Sequence, residues 1–78
     1  MRYILTKKFQ KQYAKAPEVV KKAFDKCLKL FLENSHHPSL DAKQYKDTNQ
    51  ARVTLSWRFY YDVEEDCYVI TTITKHPK

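Results

Sequence analysis

This chain of 78 residues contains no glycine at all. Every phosphate loop built on glycine is thereby excluded, and tight turns must be made by Asn, Asp, Ser and Pro. Cysteine is scarce. Cys27 and Cys67 belong to no CxxC or other metal spacing and make no disulfide framework. They read as reduced, packed thiols of a cytoplasmic protein. No apolar run nears membrane-spanning length and no signal peptide opens the chain, so no membrane partner is expected. His36 and His37 are adjacent but lack Cys or carboxylate partners at ligand spacing, so they read as a solvated turn and no metal is expected.

Acids are in deficit too. There are 15 Lys and Arg against 9 Asp and Glu, a net charge of +6. Residues 1–33 carry the whole excess, nine cations against three acids, while the remainder of the chain is balanced. Such a front half favours nucleic acid or an acidic protein as partner. The helical lysines serve equally as solubilising faces, and both uses stay open at this point. The length fits a single domain, 1–78, with one modest core.

The apolar pattern divides the chain. Tyr3-Ile4-Leu5 is a short first strand, and Thr6 is a suitable N-cap for a helix that carries Phe9 and Tyr13 on one side. Pro17 ends that helix and sits well at the start of the next, about Glu18 to Glu33. There Val20, Phe24, Cys27, Leu28 and Phe31 form an inward stripe, with Lys22, Lys26 and Lys29 on the other side. The segment from Asn34 to Ser39 breaks the helix, and Leu40 and Tyr45 are the apolar anchors of the connection. Three strands follow, roughly 50–55, 57–63 and 67–75, with Glu64-Glu65-Asp66 as an acidic turn.

In these strands Val53, Trp57, Phe59, Tyr61 and Val63 alternate with Arg52, Arg58, Tyr60 and Asp62. This is the period of a sheet with one packed and one wet face. A turn at Thr54-Leu55-Ser56 sets Val53 opposite Trp57 and Arg52 opposite Arg58, which keeps the faces unmixed. A three-residue acidic turn would then place Thr72 opposite Arg58, with Thr74 and His76 further along. Arg52, Arg58, Tyr60 and His76 are expected to converge near one end of the sheet. The arginines have a plainer use as partners of Asp62 or the acidic turn, and exposed pairs of that kind contribute only about 0–1 kcal/mol.

The order of elements, with the segments YILTKKFQKQYAKAP, HPSLDAK at 37–43, WRFYYDV and VITTITKH, resembles the RelE/ParE superfamily of bacterial toxin–antitoxin toxins. The likeness spans essentially the whole chain. It implies an α+β fold, β-α-α-β-β-β, with a two-helix hairpin packed on an antiparallel sheet. It also implies a RelE-like, ribosome-dependent messenger-RNA endonuclease that arrests translation without a metal or other cofactor. A cognate antitoxin would hold the enzyme inactive, and the other partners would be the ribosome and messenger RNA.

By the same resemblance the catalytic residues are Arg58, His76 and Lys43, with Arg52, Lys46 and Tyr60 binding RNA. Arginine's planar fork suits a phosphate, and an imidazole can move a proton near neutral pH. Two alternatives share the fold: a ParE-like inhibitor of DNA gyrase, and an inactive relative that only binds its antitoxin.

Overall fold

The computed structural model describes residues 2–34 and 49–75 in full and residues 43–44 by their backbone. Strand β1 (Arg2–Leu5) leads into helices α1 (Lys7–Lys15) and α2 (Glu18–Glu33). Then come β2 (Lys43–Gln44), β3 (Asn49–Arg52), β4 (Trp57–Glu64) and β5 (Cys67–Lys75). The α+β order expected from the sequence holds, with β2 as an addition. The expected anchors Leu40 and Tyr45 lie outside the described residues.

The helices start and stop for local reasons. The Thr6 hydroxyl accepts the Phe9 amide at 3.1 Å and donates to the Thr71 carbonyl at 3.2 Å, so one residue caps α1 and ties it to β5. Pro17 takes the N-cap position of α2, where its missing N–H costs nothing. Phe9 on α1 and Val20, Phe24 and Phe31 on α2 are buried, while Lys22, Lys26 and Lys29 are exposed. Among the described residues no helix is long and apolar enough to cross a membrane.

The sheet runs β1-β5-β4-β3-β2. Strands β3, β4 and β5 form the expected antiparallel meander. Strand β1, however, lies parallel to β5, from Arg2 opposite Cys67 to Leu5 opposite Ile70, so the sheet is mixed rather than wholly antiparallel. Parallel neighbours need a long crossover, and the helical hairpin lies within it.

Strand β3 ends at Arg52 rather than 55, because the backbone turns at once to form the hairpin.

The core is largely aromatic. Phe59, fully buried, meets Phe24 edge-on at 5.4 Å and Phe31 at 5.5 Å, and Phe31 also packs on Tyr61 at 4.7 Å and Tyr68 at 4.4 Å. Tilted and edge-on contacts of this kind add to what burial alone supplies. Two inward-parity residues depart from expectation. Trp57 is only partly buried, and Val63 is 50% exposed.

Candidate functional site

The site residues are set by two turns and one irregularity. Between β3 and β4 the Val53 amide donates to the Trp57 carbonyl at 2.9 Å, closing the hairpin with Val53 beside Trp57 as expected. Arg52 therefore stands opposite Arg58, and Gln50 opposite Tyr60. Ala51, Phe59 and Ile73 form the intervening cross-strand row, fully buried under the helices. The arginines belong to the face turned away from the helices.

The β4–β5 connection differs from the three-residue turn expected. Glu64 pairs with Cys67, leaving a two-residue turn, Glu65-Asp66, in which Glu65 takes a φ of 52°. A slip then occurs between Tyr60 and Tyr61, which face Thr72 and Ile70, so Thr71 is the extra residue of a β-bulge. The combined shift places Thr74, not Thr72, opposite Arg58. The bulge also lets Ile70 and Ile73, three apart, both face the core. Its disrupted ladder is repaired from α1, because the Ile73 amide donates to Gln12 Oε1 at 3.0 Å.

Two adjacent rows result on the helix-free face. One holds Arg52, Arg58 and Thr74, and the other holds Gln50, Tyr60 and Thr72, with the Lys43 backbone paired to Gln50. Residues two apart on a strand are separated by roughly 7 Å, so the rows lie within the span of one nucleotide's phosphate and base. Four nominated residues, Lys43, Arg52, Arg58 and Tyr60, are thus brought into neighbouring backbone positions. Lys46 and His76 lie outside the described residues, and so do His36 and His37.

Arg58 is held in a specific way. Its Nη1 donates to the carbonyls of Thr54 at 2.9 Å, Trp57 at 3.2 Å and Leu55 at 3.4 Å. These acceptors are neutral, so the guanidinium keeps its full charge. Among the described residues the one ion pair joins Arg2 and Asp66 at 3.5 Å, at the other end of the β4–β5 hairpin. The acidic pairing considered for Arg52 and Arg58 is not formed there. Arg52 stands toward the rim of the sheet. Burial pushes the Cys27 thiol up from its usual range, while the charges of Lys26 and Arg52 pull it the other way.

Sequence reasoning passed over Gln50, which is 6% exposed in the middle of the second row, and the carbonyls of the 53–56 turn. The odd spacing of Ile70 and Ile73 was the available signal for the bulge and hence for Thr74. Among the described residues no three metal-binding side chains come together.

No family model matches the sequence, and no curated protein does either. Solved structures do match. A YoeB/ParE toxin from Agrobacterium tumefaciens superposes with a TM-score of 0.81 at 13% identity, over 99% of this chain and 100% of that one. The archaeal RelE–RelB complex from Pyrococcus horikoshii OT3 gives 0.80 at 14% identity, over 99% and 96%. The intact Escherichia coli RelBE toxin–antitoxin complex gives 0.75 at 16% identity, over 99% and 98%. At these identities the likeness is one of fold, and it spans both chains nearly end to end. The architecture reached from the sequence is that of the RelE/ParE toxins.

Proposed function

We propose that this protein is the toxin of a toxin–antitoxin pair, a ribosome-dependent endoribonuclease that cuts messenger RNA. The observation that carries the reading is the pair of neighbouring arginines on the helix-free face, with no carboxylate paired to either among the described residues. Two neighbouring guanidinium groups of this kind suit a phosphate in flight between two esters. Cleavage needs no redox step. The ribose 2′-oxygen attacks the adjacent phosphorus, the bond to the 5′-oxygen breaks, and a cyclic phosphate and a 5′-hydroxyl remain. One proton leaves the 2′-hydroxyl and one reaches the departing oxygen, while cations stabilise the added charge on the phosphorane.

In this scheme Arg58 holds the phosphate, Lys43 and Arg52 share its charge, and Tyr60 stacks on or hydrogen-bonds the neighbouring nucleotide. Lys46 binds the backbone, and His76 carries a proton. The partners are the ribosome with its messenger RNA and an antitoxin whose acidic segment covers the arginine face. Induction of the protein should stop incorporation of labelled amino acids while DNA synthesis continues. Replication failing first would favour the gyrase-directed reading, and neither failing would leave an antitoxin-binding protein without toxicity.

A further inference from the structure

The 53–56 turn does more than reverse the chain. Thr54 Oγ1 accepts the amides of Ser56 at 3.2 Å and Trp57 at 3.1 Å, and the Thr54 amide donates to the Trp57 carbonyl at 3.2 Å. The Thr54 carbonyl is also the nearest acceptor of Arg58 Nη1, at 2.9 Å. A single residue therefore fixes the loop and supplies the nearest of the three carbonyls that hold the arginine. In a chain without glycine a hydroxyl-capped turn is a natural way to make this bend.

We propose that Thr54 is the positioning residue for Arg58, and that the 53–56 turn is the mount presenting the guanidinium to a phosphate. The proposal rests on the ribonuclease reading above. With Nη1 engaged by three carbonyls, the guanidinium plane is fixed. Among the described residues Nε and Nη2 make no hydrogen bond, so that edge keeps two parallel N–H groups for a pair of phosphate oxygens. Ordering a long side chain before the ligand arrives removes part of the cost of binding it. The neutral carbonyls do this without drawing off the charge, as a carboxylate partner would.

The test uses the thymidine dinucleotide, which has no 2′-hydroxyl and cannot be cut, titrated while the Arg58 side-chain signals are followed by NMR. In the free protein the Nη1 and Nη2 protons should be resolved from each other, the mark of restricted rotation. Thr54→Val should merge them and weaken binding about tenfold, whereas Thr54→Ser, which keeps the hydroxyl, should behave as the parent does. A merely structural role for Thr54 would lower the melting temperature without changing the affinity of the folded protein. If Arg58→Ala weakens binding and a folded Thr54→Val does not, the mount is wrong and the phosphate role stands. Unchanged binding in Arg58→Ala would overturn both. Should Thr54→Val not fold, the parent protein still decides, since a single averaged Nη signal in its free state contradicts the proposal.

Discussion

A side chain's parity on a strand selects its face, but its place along the strand decides how deep it lies. Phe59 and Val63 share parity on β4, yet Phe59 sits between Phe24 and Phe31 while Val63 is half exposed near the hairpin tip. Trp57, at the other end of the strand, packs against the core with one side only. Phe59→Ala should therefore cost about 3–5 kcal/mol, the usual range for a fully buried aromatic, and Trp57→Ala roughly half as much. Urea denaturation of the two variants checks the order, and a larger loss at Trp57 would contradict it. Arg58 belongs to the same scale. Its charge is unpaired among the described residues but its Nη1 is fully occupied, a combination visible only once the turn is built.

Elements with punctuation at their ends were legible from the residues. Thr6 and Pro17 bracket α1, and both helices fall where capping and the apolar stripe put them. The Arg52–Arg58 pairing was legible for a similar reason, since the other register mixes apolar and cationic side chains on one face. The edges of the sheet were not. Parallel pairing of β1 leaves no local mark, because the strand is four residues long and its partner is the last in the chain. The bulge at Thr71 depends on an acceptor from another element, and nothing in the strand's own residues names Gln12. Gln12→Ala would leave the Ile73 amide without its acceptor, a loss of about 1–3 kcal/mol for a group of this kind in the interior. Thermal melts of Gln12→Ala beside exposed Gln10→Ala should separate the two, and equal melting temperatures would deny the bulge its brace.

For the whole molecule, burial leaves a signature in alkali. It pushes up the Tyr61 phenol and the Cys27 thiol, and the Tyr13 phenol also rises, through burial first and then its hydrogen bond to Asp25. Each group is a neutral acid whose folded form holds its proton more tightly than the unfolded form. No contribution appears below the ordinary values of 9.0 for the thiol and 10.0 for the phenols. Above them the unfolded chain releases protons that the folded chain retains, so stability falls as pH rises through that window. Tyr61→Phe should flatten the fall, measured as unfolding free energy against pH, and an unchanged slope would show that the phenol is not responsible.

The site is where reading by likeness and reading by structure divide. Lys43, Arg52, Arg58 and Tyr60 come together through backbone register, whereas the parts assigned to His76 and Lys46 rest on resemblance alone. The central claim is that the arginine face performs chemistry on messenger RNA, and the ends of the cut strands report on it most directly. Purified protein should be added to ribosomes loaded with a defined message, beside the Arg58→Ala, His76→Gln double variant shown by its melt to be folded. The account predicts fragments with 5′-hydroxyl and cyclic phosphate ends from the parent protein and none from the variant. Equal cutting by a folded double variant, or an intact message with the parent protein, would contradict it.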